Sequence, residues 1–564
     1  MKIIISLSML LSVPFCFAQK NTTQTNGFKI TYLKSSNGTQ LENQDPIAVF
    51  STETESLITT EKFLSGKAEF PFEQTFIDHS KKRLVQLTRL GEQTSVATTD
   101  STSIQKQSFE FTEETKTILG YKCKKATTTV NSNHIDLWFT NDLKIKGAPT
   151  VLGQNLGLVL EMNRNNNFLI TAVKIEKQRN LSPKKMLTDA SKGKNESVDL
   201  LTYRDKVWKS RFTTIPVFEN EIINFSDASK SNDSILRFAN GTVIVRKIKL
   251  PVIKKGSQIF IDVTEQSNGD AYDRTGSVFI IPTDKSISFL DGLKNGIKTL
   301  PTYENGNTKK YQGVVQTQNY SPLLELMRFF TPFGIKQYNH LQLKGKTWEE
   351  SVPYRQDISE LQSALDNKEV WIGAFIGNYD KGGHKISANI TLHTEEGAKS
   401  GNNVLIPLFN TTNVMEMAGQ DYATMFDSDN GLLVEFVLEK DLKNARLRYI
   451  STGHGGWENG DEYLQKKNTI LLDNQQVYTF IPWRQDCATY RLYNPASGNF
   501  NNGLSSSDYS RSNWCPGTVT NPTLIDLGDL KAGKHSIRIK IPQGKPEGNS
   551  FSAWNVSGVL LGSE

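Results

Sequence analysis

Short runs of alternating apolar and polar residues, repeated along most of the chain, constrain the fold more than any other feature of this sequence. Val243–Leu250 interleaves Val, Ile and Leu with Arg and Lys, and Leu158–Met162, Leu432–Leu438 and Ser536–Ile541 are similar runs. A period of two places every second side chain on one face of a β-strand. The runs are not separated by the helical segments that βαβ units need, so the sequence predicts an all-β fold of antiparallel sheets.

The length of 564 residues predicts several domains. We expect a signal peptide at 1–18, a β-rich N-terminal accessory domain at 19–180, and a basic linker with one or two short helices at 181–213. Two strand-rich blocks follow, at 214–396 and 397–564, and each has the size of a jelly roll with long loops.

The N-terminus predicts export from the cytoplasm. Lys2 precedes the apolar run Ile3–Val13, and small residues end at Ala18, as in a secretory signal peptide. No later stretch is apolar enough for a membrane span, so we expect a secreted or periplasmic protein. In that compartment Cys487 and Cys515, which lie in one Gly/Ser/Asn-rich stretch, are predicted to form a disulfide. We expect Cys123 to be a packed free thiol.

Several functional classes have no support in the sequence. The net charge of +6 is small for this length, and no dense basic stripe indicates nucleic-acid binding. The seven His residues are scattered, without an i,i+4 pair or a Cys-His cluster, and there is no G-x-S-x-G or H-E-x-x-H motif. We therefore expect neither a metal nor a cofactor.

The remaining candidate functional residues lie in three loops that are rich in Gly, aromatic residues and Arg: Asn268–Arg274, Gly453–Tyr463 and Ser510–Gly517. Carboxylates can activate water, Arg donates forked hydrogen bonds, and aromatic faces stack on sugar rings. The combination is suited to a carbohydrate-directed hydrolase. Acidic surface turns or calcium-binding loops are the alternative interpretation of the same residues.

The order of several motifs resembles the peptide:N-glycosidase F family, the bacterial amidases that release N-glycans from asparagine. Asp270–Arg274 is similar to the D-x-W-D-R motif of that family. Further similarities follow in the same order over about 215–564: Arg328–Phe333 (R-F-I-T-P-Y), a helix Ile358–Leu365 capped by Asp357 and followed by a strand from Glu369, Leu447–Gly455 (L-R-x-x-x-x-G-W-G), Asp461–Tyr463 (A-E-W) and Arg511–Gly517 (R-x-G-W-C-P-G).

This resemblance implies two adjacent eight-stranded jelly rolls with an active site between them. It also implies hydrolysis of the amide that joins the innermost N-acetylglucosamine to asparagine, which leaves aspartate and a glycosylamine. Asp273 is expected to activate the water, and Glu462 to hold the sugar and to tune Asp273 as a like-charged neighbour.

The same resemblance implies a set of substrate-binding residues. Arg274 and Arg511 are expected to contact the amide or the core chitobiose of N-glycoproteins and glycopeptides. The other expected contributors are Tyr272, Tyr463, Trp514, His454 and Gly455, with loop packing as the alternative role for the three larger aromatic residues. We expect a monomer with no nucleic-acid partner.

The sequence departs from the family pattern near the core sugars. A second helper glutamate of the family falls near Phe375, and Asp380 is a weak replacement for it. Cysteines that flank the family's glutamate are missing, so we expect the Glu462 loop to be held by packing alone. A shifted specificity, such as tolerance of a fucose on the innermost sugar, is a hypothesis.

Two other functions are compatible with the three loops. An endo-β-N-acetylglucosaminidase would cleave between the two core sugars, using two carboxylates at glycosidase spacing. A non-catalytic N-glycan-binding protein would use the Arg and aromatic side chains but would not need the Asp273 carboxylate.

Overall fold

The computed structural model describes residues 26–190, 194–338, 342–393, 403–455, 460–495, 506–546 and 550–564. The chain divides into two compact units, 1–211 and 212–564. The predicted signal peptide at 1–18 lies outside the described residues. The predicted boundary between 396 and 397 also lies outside them, so the domain limits stay a prediction.

The first unit contains one sheet, in which thirteen of the described strands pair. They are β1 Gly27–Ser36, β2 Thr39–Gln40, β3 Ile47–Ser51, β4 Glu55–Thr60, β5 Phe72–Asp78, β6 Arg83–Arg89, β7 Thr94–Asp100, β8 Glu110–Ile118, β9 Tyr121–Val130, β10 Asn133–Thr140, β11 Leu158–Arg164, β12 Phe168–Gln178 and β13 Lys194–Ser197. The order is β13-β7-β6-β5-β4-β3-β1-β12-β11-β10-β9-β8, with β2 beside β1. Three helices accompany the sheet: α1 Glu61–Leu64, α2 Pro183–Ala190 and α3 Leu200–Lys209.

The segment that we expected to be a linker, 181–213, contributes to this first unit. Its strand β13 extends the sheet by pairing with β7 in parallel. Helix α3 buries Tyr203 and Val207 against Val96, and the Tyr203 hydroxyl lies 2.5 Å from the Thr88 hydroxyl. These apolar contacts attach the helix to the sheet, although the local sequence is basic and weakly hydrophobic.

Strands in the first part of the second unit form two sheets around one apolar core, and two short strands, Thr302–Tyr303 and Tyr311–Gln312, pair with each other separately. The strands are β14 Phe212–Ile223, β15 Leu236–Phe238, β16 Val243–Lys249, β17 Gln258–Ser267, β18 Thr275–Ile281, β19 Thr302–Tyr303, β20 Tyr311–Gln312, β21 Leu324–Phe330, β22 Val352–Asp357, β23 Glu369–Ile376 and β24 His384–His393. The helices are α4 Phe289–Asn295, α5 Ile335–Tyr338 and α6 Gln362–Leu365.

The remaining strands form the second roll, except for Val519–Thr520, which pairs with β21 in a sheet of the first roll. They are β25 Val404–Asn410, β26 Leu432–Leu438, β27 Leu442–His454, β28 Asn468–Leu472, β29 Gln475–Phe480, β30 Val519–Thr520, β31 Thr523–Leu530, β32 Gly533–Lys540 and β33 Ala553–Ser563. The first roll has the sheets β14-β24-β17-β22 and β15-β16-β23-β18-β21-β30, and the second has β25-β33-β27-β31 and β26-β32-β28-β29. The predicted all-β architecture of two adjacent jelly rolls and an additional N-terminal β domain is confirmed.

Alternation of buried and solvent-facing residues produces these sheets. Along β22 buried and exposed residues alternate strictly, and β24 and β26 bury every second residue. The predicted helix Ile358–Leu365 is shorter than expected, because a 3-10 turn at Ser359–Leu361 precedes the single turn of α6. Ile358, instead of the predicted Asp357, occupies the N-cap position of this turn, and the Asp357 carboxylate accepts the Ser359 backbone N–H at 2.9 Å. No helix in the described ranges has the length and apolar character that a membrane crossing needs.

Candidate active site

The loop between β17 and β18 carries Asp273, and a buried carboxylate organises it. The Asp270 side chain accepts the Tyr272 backbone N–H at 3.1 Å and receives a forked pair from Arg274, at 2.7 and 3.1 Å. The Ser267 hydroxyl donates to the Asp270 carbonyl at 2.6 Å. The D-A-Y-D-R motif therefore works as a unit in which the first carboxylate shapes the loop that presents the second.

The segment Arg328–Phe333 braces the same loop. The Arg274 backbone N–H donates to the Thr331 hydroxyl at 2.8 Å, and the Thr331 N–H donates back to the Arg274 carbonyl at 2.9 Å. The Gly334 N–H donates to the Ala271 carbonyl at 3.0 Å. Two motifs that are far apart in sequence thus form one structural element.

Hydrogen bonds, in addition to packing, hold the Glu462 loop, which corrects our expectation of packing alone. The fully buried Asp461 carboxylate accepts the Trp554 indole N–H at 2.7 Å and the Gly544 N–H at 3.0 Å. Lys466 lies 3.4 Å from the same carboxylate. The Asp461 N–H donates to the Ser552 hydroxyl at 3.1 Å. A buried carboxylate needs such partners, and here they fix the residue next to Glu462.

Gly455 occupies a position that only glycine can take. Its φ is +76°, and a Cβ built on it would lie 1.8 Å from the Phe551 carbonyl oxygen. The Glu462 N–H lies 3.4 Å from the Gly455 carbonyl, and the Ser512 N–H donates to the Glu462 carbonyl at 2.9 Å. Gly455 therefore supports the backbone of the Glu462 loop, and its contact with the substrate stays a prediction.

Arg511 brings the two predicted catalytic carboxylates together. Its Nη1 forms a short ion pair with Glu462 of the second roll and lies 3.2 Å from the Asp273 Oδ2 of the first roll. Its Nη2 donates to the Ser506 carbonyl at 2.7 Å. The Arg511 side chain is 1% exposed, whereas the Asp273 and Glu462 side chains are 15% and 16% exposed. The carboxylates therefore face solvent from one side and a buried cation from the other.

Asp273, Glu462 and Arg511 form an Asp–Arg–Glu trio in which each charge affects the other two. Burial raises the pKa of Asp273, while Arg511 and Arg274 oppose that rise and Asp270 adds to it. Burial likewise raises the pKa of Glu462, with Arg511 opposing and the Asp273 charge adding to the rise. Because both carboxylates share one cation, they titrate as a pair.

Aromatic rings surround the Arg511 guanidinium. Trp514 lies 4.3 Å and Tyr463 5.1 Å from it, distances typical of cation–π contacts. Burial and the Glu462 charge raise the pKa of Tyr463, since an ionised phenol would be repelled here.

Trp514 and His454 pack at the boundary between the rolls. The Trp514 ring is 4% exposed and stacks on Phe330 of the first roll, with centroids 4.3 Å apart. His454 packs against the same indole at 5.4 Å. Burial, with the positive charges of Arg328 and Arg511, lowers the pKa of His454 to about 3, so this imidazole is neutral at physiological pH.

Arg274 lies between two exposed tyrosines. Its guanidinium is 5.3 Å from the Tyr272 ring and 5.4 Å from the Tyr379 ring, and these side chains are 54% and 56% exposed. The Tyr379 hydroxyl donates to Glu416 at 2.9 Å. Sequence reasoning missed Tyr379, although an aromatic residue in the Gly-rich segment after β23 was a usable signal.

Asp380 and Phe375, the positions considered for a helper carboxylate, have other surroundings. Phe375 is buried in an apolar cluster. The Asp380 Oδ1 accepts the N–H groups of Gly382 and Gly383, at 2.7 and 2.9 Å. Asp380 therefore shapes a turn that follows Tyr379.

Buried Arg328 connects the two rolls, and the sequence did not indicate this role. On β21 it forms a fully buried ion pair with Glu325 at 2.7 Å. It also donates to Thr412, Thr452 and the Asn555 carbonyl of the second roll, at 2.9, 3.2 and 2.6 Å.

Arg448 makes the reciprocal connection from β27. It pairs with Glu360 at 2.8 Å and donates to the carbonyls of Glu325 and Leu326, at 2.9 and 3.2 Å. A buried guanidinium satisfied from both rolls restricts their relative movement, so these contacts help to set the separation between Asp273 and Glu462.

The predicted disulfide Cys487–Cys515 is present, with Cα atoms 5.1 Å apart, and Cys123 is a buried free cysteine. The bridge lies four residues after Arg511. In the part of the chain that the structure describes, no group of three or more His, Cys, Asp or Glu residues is arranged to hold a metal ion.

The fold and the site together define the class of protein: two jelly rolls that share an Asp–Arg–Glu trio. Comparison with models of protein families identifies the family. The model of peptide-N-glycosidase F, N terminal, matches 214–392, and the model of its C terminal matches 421–561. A model of the N-terminal domain of N-glycanase peptide matches 30–205. The chain belongs to the peptide-N-glycosidase F family, as a member with an additional N-terminal domain.

Among solved structures, the chain is similar to PNGF-II. The structure in the C2 space group is 55% identical, with a TM-score of 0.85, and the match covers 96% of this chain and 98% of that one. The structure in the P21 space group is also 55% identical, with a TM-score of 0.88, and the match covers 96% and 100% of the two chains. A search of curated proteins found no match.

Proposed function

We propose that this protein is a peptide-N4-(N-acetyl-β-glucosaminyl)asparagine amidase. It hydrolyses the amide between the innermost N-acetylglucosamine of an N-glycan and asparagine. Water adds to the amide carbonyl, the C–N bond breaks, and the products are an aspartate side chain and a glycosylamine. The observation that carries the proposal is the sharing of Arg511 by Asp273 and Glu462, from the two rolls.

Asp273 is the proposed base. An amide is a poor electrophile, so the attacking water must lose its proton as the bond to carbon forms. Burial raises the pKa of Asp273 towards the working pH, which increases its basicity, while Arg511 and Arg274 keep the charged form accessible. Its partial exposure leaves room for a water and a substrate on the side away from Arg511.

Glu462 and Arg511 have supporting roles in this proposal. Arg511 is almost fully buried, so it acts by fixing the two carboxylates and by stabilising negative charge that develops next to them. Glu462 is open to solvent on one side and is placed to accept hydrogen bonds from the acetamido and hydroxyl groups of the sugar.

Arg274 and its flanking tyrosines form the proposed contact with the core chitobiose. The Arg274 side chain is 20% exposed and can donate to the amide or the sugar. Tyr272 and Tyr379 offer exposed rings for stacking. Trp514 and Tyr463 are proposed to support the site through their contacts with Arg511.

Mass spectrometry of an N-glycopeptide treated with the protein or with Asp273→Asn tests the proposal. We expect the parent protein alone to produce a deglycosylated peptide in which Asp replaces Asn. A peptide that retains one N-acetylglucosamine would indicate an endoglycosidase instead. An intact peptide that binds with equal affinity to both proteins would indicate a lectin.

The helper glutamate implied by the family resemblance falls near Phe375, which is buried and apolar, and this supports the hypothesis of a shifted specificity. One consequence would be tolerance of fucose on the innermost N-acetylglucosamine. A digest that compares matched glycopeptides with and without this fucose tests it, and release from the unfucosylated peptide alone would refute it.

Export and a monomeric state complete the proposal. The Cys487–Cys515 bridge requires an oxidising compartment, consistent with a secreted or periplasmic enzyme. The disulfide and the catalytic trio are formed within one chain, so no second subunit is required. Size-exclusion chromatography with light scattering would measure the oligomeric state.

A further inference from the structure

A chain of four charged side chains lies behind the Asp273 loop. Glu265 on β17 and His384 on β24 are fully buried, and the Glu265 Oε1 is 2.8 Å from the His384 Nδ1. The His384 Nε2 lies 3.4 Å from the Asp270 Oδ2. Asp270 continues the chain through its forked pair with Arg274, and this last residue reaches solvent.

With Glu265 and Asp270 both ionised, the charges in this chain balance when His384 carries a proton. Burial alone would lower the pKa of His384, but Asp270 and Glu265 outweigh burial and raise it to about 9. The imidazolium then offsets one of the two carboxylates, and Arg274 offsets the other. Other groups that face this chain are the Tyr354 hydroxyl on β22, whose pKa is raised by burial and by Glu265, and Tyr272, Tyr379 and Asp273 at its Arg274 end.

We propose that His384 is a positioning residue for the amidase reaction, acting through Asp270 and Arg274 on Asp273. This inference rests on the proposed function and goes beyond it, because it assigns a role to a side chain that no substrate can touch. The imidazolium pairs with the Asp270 carboxylate across 3.4 Å, without a hydrogen bond, and Asp270 in turn holds the loop and the Arg274 guanidinium.

Replacement of His384 should shift the pKa of Asp273 in a definite direction. Arg274 lowers and Asp270 raises the pKa of Asp273. Without the imidazolium, the Asp270 charge is less compensated and Arg274 is drawn more strongly to it. The acidic limb of the pH–rate profile should therefore move to higher pH when His384 is replaced by a neutral residue.

Two amide substitutions separate the two contacts of the imidazole. In His384→Asn the amide nitrogen takes the place of Nδ1, so the contact with Glu265 is kept and the contact with Asp270 is lost. In His384→Gln the amide nitrogen reaches the place of Nε2, so the Asp270 contact is kept. Both variants are neutral, and similar losses of thermal stability are expected.

We expect His384→Asn to lower kcat for N-glycopeptide release at least about tenfold, with KM changed by less than about threefold. The acidic limb should move up by about half a pH unit or more. His384→Gln should recover part of kcat. Two variants with equal thermal stability and with the parental kcat and pH profile would overturn the proposal.

Asp270→Asn provides an independent variant in case substitution of His384 impairs folding. It should reproduce the loss of kcat, and combining it with His384→Asn should add little, because both changes break the same link. A parental kcat in Asp270→Asn would overturn the proposal.

His535→Asn is a matched control, since His535 pairs with Asp473 at 2.8 Å in the second roll, away from the four-residue chain. It should keep the parental kcat. The parent and Asp273→Asn are assayed alongside: absence of Asp-containing peptide from the parent would refute the amidase itself. Normal release by the parent, together with a parental kcat in the His384 variants, would refute only the positioning role.

Discussion

His384 should make the stability of the second unit depend on pH, in a pH range in which most buried groups do not change their protonation. Its pKa is raised from 6.5 to about 9 in the folded protein. A group with a raised folded pKa stabilises fully below its unfolded pKa, and that stabilisation is lost as the pH rises through the folded value. The shift of about 2.5 units corresponds to about 3 kcal/mol, because one unit is about 1.4 kcal/mol.

To test this, His384 is replaced by Asn, and the free energy of unfolding of the variant is compared with that of the parent. We expect this difference to shrink by about 3 kcal/mol between pH 6.5 and pH 9.5, because only the parent loses the proton. Urea-induced unfolding followed by tryptophan fluorescence measures it, with the transition of the 212–564 unit fitted. Other groups that titrate in this range are common to both proteins and cancel.

His393 on the same strand is the matched control. Burial and Arg355 lower the pKa of His393 below its usual value, so its contribution changes only at more acidic pH. His393→Asn should therefore show a constant difference from the parent between pH 6.5 and pH 9.5. A constant difference for His384→Asn as well would refute the reasoning, since it would mean that His384 does not change its protonation in this window.

Three further substitutions test the construction of the site. Arg511→Lys should keep the fold but lower kcat at least about tenfold, because one ammonium cannot replace the fork that serves two carboxylates and a carbonyl; a parental kcat in glycopeptide release would contradict this. Asp461→Ala should destabilise the second unit by about 3 kcal/mol in urea unfolding, since it leaves the Trp554 indole N–H without its buried acceptor. Asp461→Asn is its control and should lose less. The Cys487→Ser/Cys515→Ser double variant should lose about 3–4 kcal/mol, as expected for opening a loop with a sequence separation of 28. An unchanged thermal transition would show that other contacts already restrain this loop.

The local pattern of the sequence was sufficient for the architecture. Alternation along runs such as Val243–Leu250 indicates which residues face inwards, and the strand β16 at Val243–Lys249 matches that prediction. The helix Ile358–Leu365 was less accurate, because a 3-10 turn and an α turn contain similar residues. Helix length is decided by the neighbouring contacts rather than by propensity alone.

The motif residues were also accessible from the sequence, but their surroundings in the folded chain were not. Arg511 is expected to contact the substrate, and that expectation stays a prediction; what the sequence did not indicate is its burial beside Asp273 and Glu462. Burial depends on what the rest of the chain places around a side chain, so the same residue type in a loop can face solvent or a carboxylate.

The sequence by itself determined the period of the strands, the chemical types at the site and the family. Only the tertiary structure decided how these groups act on one another. His384 and Glu265 are 119 residues apart, and Arg511 and Glu462 are 49 apart, yet each pair is in contact. The physical reason is that strand periodicity is a local property of the chain. A pKa or an ion pair, in contrast, is set by burial and by charges that only the folded chain brings within a few ångströms.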